Sequence, residues 1–132
     1  MYIYKIEIKN FRNLRNFTWK PDKHINVLFG HNGCGKTNIA EALALLFTPN
    51  RYRVYFDKAD YYLGSRDNKI IIRAWLADID TYEEQMSLRI QHINANDEPV
   101  SDDSEESCMQ VLILQLESAA EDKMEWSFVV ST

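Results

Sequence analysis

The apolar positions of this chain change period as it is followed from the N-terminus. Tyr2, Tyr4, Ile6 and Ile8 alternate with Ile3, Lys5, Glu7 and Lys9, the period-2 pattern that predicts a strand with one buried face. Residues 17–20 read as a second short strand, ended by Pro21-Asp22. The run Ile25-Asn26-Val27-Leu28-Phe29 is almost continuously apolar, as expected of a central strand covered on both faces. After a glycine-rich stretch, Ile39, Leu43, Leu46 and Phe47 fall at i, i+4, i+7 and i+8, which predicts an amphipathic helix stopped at Thr48-Pro49. Residues 50–68 read as a polar connection. Residues 69–77, 87–93, 108–117 and 124–131 read as strands joined by short loops, hence as an antiparallel layer. The expected fold class is therefore α/β, a largely antiparallel sheet around one helix, in a single domain over residues 1–132. Residues 94–107 hold six acidic residues and no basic one, which predicts a solvated, mobile hairpin loop.

Composition adds little to this until charge is read by position. With 132 residues, 45% hydrophobic and 27% charged, the chain has the make-up of an ordinary folded domain. No apolar run approaches the roughly 20 residues that span a bilayer, and the N-terminus enters the strand pattern directly, so the expected location is the cytoplasm, with no membrane contact. The net charge of −5 conceals an asymmetry: residues 1–73 hold 13 Lys and Arg against 6 Asp and Glu, residues 74–132 hold 2 against 14. Anion binding is expected in the basic part, and the acidic remainder argues against this chain alone gripping nucleic acid. Cys34 and Cys108 lack metal or disulfide spacing and are expected to be reduced thiols; His24, His31 and His92 show no metal spacing either.

The chemistry concentrates in Gly30-His31-Asn32-Gly33-Cys34-Gly35-Lys36-Thr37, which fits Gly-x-x-x-x-Gly-Lys-[Ser/Thr] between a buried strand and a helix. Glycines at 30, 33 and 35 allow the backbone to approach a ligand where a Cβ would intrude. The amides from about Asn32 through Thr37 then meet the positive end of the helix dipole, a ready site for phosphate. Lys36 adds a full positive charge for the β- and γ-phosphates, and Thr37 offers a hydroxyl to Mg²⁺. At a background glycine frequency of about 7%, such a pattern arises by chance in roughly half a per cent of chains this size, and its strand–helix setting makes chance rarer still. The expected ligand is a nucleoside triphosphate with Mg²⁺. The Asn/Lys-Lys-x-Asp motif that reads guanine is not found, which favours ATP.

Taken with Ile6-Glu7-Ile8-Lys9-Asn10-Phe11-Arg12-Asn13, with Asn38, and with Glu41-Ala42-Leu43, this motif resembles the N-terminus of ABC-type ATPases of the SMC/RecF/OLD group. Asp60-Tyr61-Tyr62 and residues 69–74 are most similar to the OLD (overcoming lysogenisation defect) family, many members of which carry a C-terminal TOPRIM nuclease. The specific match covers the first 48 residues. The resemblance implies the N-terminal lobe of an ATPase head, with Arg12, Asn13, Asn32, Gly33, Cys34, Gly35, Lys36, Thr37 and Asn38 around the nucleotide. It implies a homodimer of heads closed over ATP, and DNA reached through the full-length protein rather than this part. Val111-Leu112-Ile113-Leu114 is followed by Gln115, not the Asp of a Walker B strand. Gln110 or Gln115 is the candidate for the family's Mg²⁺-contacting glutamine, against the commoner reading of a glutamine on an exposed strand face.

A P-loop alone binds phosphate but does not orient an attacking water. The expectation is thus nucleotide binding with little hydrolysis by this chain alone, and gating of a DNA-directed nuclease, defence or repair activity in a longer protein. Two alternatives stand beside it: a non-hydrolysing, nucleotide-dependent interaction module, and a small P-loop kinase. The aromatic, arginine-flanked stretch of Tyr52, Tyr55, Phe56, Tyr61 and Tyr62 reads as packing under the sheet before it reads as a base-stacking surface.

Overall fold

Alternation at the N-terminus becomes β1, Tyr2–Phe11, which turns back after two residues into β2, Leu14–Trp19. The computed structural model describes residues 2–21, 36–49, 53–78, 90–100 and 109–129. The expected strand at 25–29 and most of the glycine-rich motif lie outside these residues. Helix α1 spans Lys36–Phe47, followed by strands β3 (Ile71–Ala77), β4 (Ile90–Ile93), β5 (Pro99–Val100), β6 (Met109–Ser118) and β7 (Met124–Phe128).

Among the described residues the seven strands form one sheet in the order β2-β1-β3-β6-β4-β5, every pairing antiparallel. Strand β6 is long enough to serve two partners along one edge: Ile90–Ile93 pairs with its first half, and Met124–Phe128 with its second. Its other edge is taken by β3.

The helix lies on one face of this sheet. Ile39, Ala42, Leu45 and Leu46 are buried against Ile6, Ile8, Ile72, Ala74, Leu76, Leu112 and Leu116. The buried helical stripe differs from the expected one: Ala42 and Leu45 are inside, Leu43 is partly buried, and Phe47 is 40% exposed. Positions 39, 42, 45 and 46 form one helical stripe at i, i+3, i+6 and i+7, and Phe47 falls outside it. Thr48 caps the helix by donating its hydroxyl to the Ala44 carbonyl, and the Trp126 indole N–H donates to the Leu45 carbonyl at 3.1 Å, tying β7 to α1.

Three local expectations change. A register shift between Ile3 and Lys5 breaks the alternation of β1, so Tyr2 and Tyr4 join a second cluster with Trp75, Ala77, Ile93, Val111 and Ile113, whereas Ile3 packs with the helix-side core. One inserted residue flips the facing of everything before it. In the 50–68 connection, short 3₁₀ turns at Lys58–Asp60 and Tyr62–Gly64 bury Phe56 and Tyr61, as expected of packing aromatics, but they also bury Asp60, and Tyr55 is 56% exposed. The acidic stretch starts as a closed turn, in which the Asn94 side chain accepts the Asn96 and Glu98 amides at 2.8 and 3.1 Å, and it continues into β5. Asp97 leaves solvent because Tyr4 Oη, Lys20 Nζ and Lys5 Nζ meet its carboxylate at 2.7, 2.8 and 3.5 Å. Residues 101–108 lie outside the described residues.

No described helix is long and apolar enough to cross a membrane. Ile72 is fully buried at the centre of the sheet beneath α1. Ile72→Ala is expected to cost about 2–5 kcal/mol, read as a lower denaturant midpoint at unchanged slope.

Candidate functional site

The two-residue turn between β1 and β2 is occupied by Arg12 and Asn13, with Phe11 and Leu14 paired across its base. Arg12 has φ 54°, the left-handed region that glycine enters freely and other residues enter at a cost of order 1–3 kcal/mol. Two contacts hold it there. Its backbone N–H donates to the Asp60 carbonyl at 2.7 Å, and Phe11 bridges to Tyr61, so the turn is bolted to the 57–64 segment.

From that position the Arg12 side chain reaches three groups. Nε donates to Asp60 Oδ1 at 3.2 Å, and Nη1 donates to Asn38 Oδ1 at 3.1 Å and to the Glu41 carboxylate. Asn38 and Glu41 stand three residues apart in the N-terminal half of α1 and so share one face. Asn38 also donates its amide to Asn13 Oδ1 at 2.7 Å. The first turn of the helix is thereby clamped to the β1–β2 turn by side chains alone.

Asp60 is the hub on the other side. Its carboxylate accepts the Asp57 backbone amide at 2.8 Å and pairs with both Arg53 and Arg12, while only 4% of the side chain is exposed. Burial by itself would raise the Asp60 pKa. Hydrogen bonds from Arg53, from the Asp57 amide and from Arg12 outweigh it and hold the carboxyl below its ordinary 3.8.

These groups line an open depression of about 900 Å³, bounded among the described residues by Arg12, Asn13, Asn38, Arg53, Asp60 and the 61–64 segment. At its rim Leu63 is 86% exposed with φ 54°, beside Gly64 at φ 69°. The size suits a nucleotide or similar small ligand, and the N-terminus of α1 brings its dipole to the same side.

Of the residues proposed from sequence, Arg12, Asn13 and Asn38 come together here. Lys36 and Thr37 begin α1, but nothing is described of their side chains, and Asn32, Gly33, Cys34 and Gly35 lie outside the described residues. Gln115 is not part of the group. Its neighbours Leu114 and Leu116 face the helix, so Gln115 points to the opposite side of the sheet, where it is 8% exposed and accepts a hydrogen bond from Arg73. Gln110 is on the same strand, exposed and beside His92.

Sequence reasoning missed Arg53 and Asp60 as site residues. The arginines join Asp60 across 48 and 7 residues, and only the Asp57-x-x-Asp60 spacing, which forms a capping box, marked the place locally.

Comparison with known proteins identifies the family and the fold. A family model described as an AAA ATPase domain matches residues 1–126. The DNA replication and repair protein RecF of Halothermothrix orenii is 39% identical over 83 residues, 54% of this chain and 22% of that protein. RecF of Acetivibrio thermocellus is 44% identical over 57 residues, 43% of this chain and 15% of that protein. The chain thus spans about a fifth or less of the length of these relatives. A solved structure described as "Structural biochemistry of ATP-driven dimerization and DNA stimulated activation of SMC ATPases" superposes with a TM-score of 0.59 at 15% identity, covering 97% of this chain and 69% of that one. Such a likeness shows the fold: that of a P-loop NTPase with an antiparallel sheet.

Because the native Asp60 pKa is depressed, its contribution to stability is complete above the unfolded value of about 3.9 and drains away as pH falls through the native value. Asp60→Asn is expected to lower stability at pH 7 by about 1–3 kcal/mol and to flatten the acid limb of the stability–pH curve, measured by denaturant titration between pH 7 and pH 3.

Proposed function

This chain belongs to the AAA ATPase domain family and is an ATPase domain of SMC/RecF type, and on that premise we propose that it binds Mg·ATP at the junction of residues 30–37 with α1. The observation that carries the proposal is the clamp of Asn38 onto Arg12 and Asn13. It presents a guanidinium and a carboxamide at the helix N-terminus that follows the Gly-x-x-x-x-Gly-Lys-Thr motif.

In this reading the backbone amides of residues 32–37 and the Lys36 ammonium surround the β- and γ-phosphates, and Thr37 orients the metal. Arg12 flanks the phosphates from the strand side. Its strained turn is tolerated because the side chain, not the backbone conformation, is what the position supplies. The 61–64 segment, with exposed Leu63, forms the wall against which the nucleoside rests. ATP brings the phosphoryl group and Mg²⁺ its charge neutralisation; the residues named here bind and position.

Turnover needs a group that orients water and further charge stabilisation at the γ-oxygens. Among the described residues the one buried carboxylate at the depression, Asp60, is held by two arginines and is not free to take a proton from water. We therefore assign hydrolysis to a completed head in a longer protein, where two heads close over ATP and gate a DNA-directed activity. An OLD-type parent with nuclease, defence or repair function is supported by the Asp60-Tyr61-Tyr62 segment, whose aspartate and first tyrosine are built into the site. The small-kinase alternative is disfavoured by strands β3 through β7, whose pairings are all antiparallel and between which no α-helix lies among the described residues.

Calorimetric titration with Mg·ATP tests the reading. Lys36→Ala is expected to weaken binding at least tenfold and Thr37→Ala to weaken its Mg²⁺-dependent part, with the wild-type chain turning over ATP only at trace rates. Unchanged affinity in both variants, or vigorous Lys36-dependent hydrolysis, contradicts it.

A further inference from the structure

Arg12 cannot meet a phosphate as a free cation, because its guanidinium is already engaged by two carboxylates, those of Asp60 and Glu41. Arg53 does not supply the missing charge, since it is engaged by Asp57 and Asp60. An anion entering the depression therefore competes with these two carboxylates for the Arg12 charge, and the two are unlike. The Asp60 side chain is 4% exposed and is also held by the Asp57 amide and Arg53. Releasing it would leave a buried charge short of a partner, which is strongly unfavourable. The Glu41 side chain is 47% exposed and returns to water at little cost.

Building on the nucleotide-binding reading above, we infer that Glu41 is a displaceable counterion: the triphosphate replaces it on Arg12, while Asp60 keeps the guanidinium in position. Glu41 then tunes nucleotide affinity from one helical turn beyond the P-loop, and Asp60 is a positioning residue that touches no ligand. The direction of each effect follows. Removing Glu41 removes a competitor and tightens binding. Removing the Asp60 charge loosens Arg12 and weakens binding. Both effects act through Arg12, so they vanish when Arg12 is gone.

The test is calorimetric titration of the chain with Mg·AMP-PNP, a non-hydrolysable triphosphate, across a double-mutant cycle. Wild type is expected to bind, and Lys36→Ala to lose binding. Glu41→Gln is expected to bind about two- to fivefold more tightly than wild type, the range an exposed ion pair commands, with Glu41→Ala as a second variant of the same sign. In the Arg12→Ala background, Glu41→Gln is expected to change affinity by less than the error. Asp60→Asn should weaken binding by at least fivefold, again only when Arg12 is present. Raising the salt concentration should shrink the gap between wild type and Glu41→Gln, a response that a change in packing would not show. If Lys36→Ala is lost but Glu41→Gln binds no more tightly than wild type, or tightens equally without Arg12, the counterion inference is overturned and the nucleotide site stands. If wild type itself fails to bind, or Lys36→Ala binds as well, both fall together.

Discussion

A carboxylate as buried as that of Asp60 persists in a fold only where positive charge and N–H donors surround it, and here two guanidinium groups and a backbone amide do so. That requirement organises much of the molecule. It draws the 53–60 segment under the sheet, fixes the Arg12 turn through the Asp60 carbonyl as well as its side chain, and leaves the guanidinium pointing along α1. Apolar packing joins α1 to the sheet, and the polar hub ties the turn, the helix and the 3₁₀ segment to one another. Buried polar hubs of this kind give little net stability compared with an apolar replacement, and their use is in specifying one arrangement.

The strained turn at Arg12 fits the same logic. Glycine at that position would satisfy the backbone without cost, and asparagine would be tolerated better than arginine. An arginine held at φ 54° is thus an expense the structure meets for the sake of a side chain delivered to the helix N-terminus. Leu63 at the opposite rim is a similar case, since an exposed leucine in the left-handed region adds nothing to the core. Both residues line the depression, although strain is not confined to it, since Glu121 stands at φ 59° elsewhere in the fold.

How much of this was legible beforehand depended on range. Period and composition identified the helix and the longer strands, because each rests on neighbours within a few residues, whereas β5 at Pro99–Val100 fell in the expected loop and β2 starts at Leu14, three residues before the expected strand. The phosphate motif was legible because the chain's four glycines include three within eight residues. Facing was less accessible: the bulge between Ile3 and Lys5 sent Tyr2 and Tyr4 to the far side of the sheet, and no local signal announces an inserted residue. Charge was the least accessible of all. Asp60 and Asp97 look like surface acids in sequence and are drawn in by cations 48, 77 and 92 residues away. Gln115 had the right residue type on the wrong side of a strand, which alternation with Leu114 and Leu116 settles only once the helix-bearing face is known.

Arg12 meets Asn38 across 26 residues and Asp60 across 48, and the sheet that carries the turn is laced by pairings of equally distant segments. Chain topologies of this sort accumulate their ordering entropy before long-range contacts return it, so they fold late and cooperatively. The depression is therefore assembled from segments far apart in the chain, and a molecule bound there favours the state in which those segments have met.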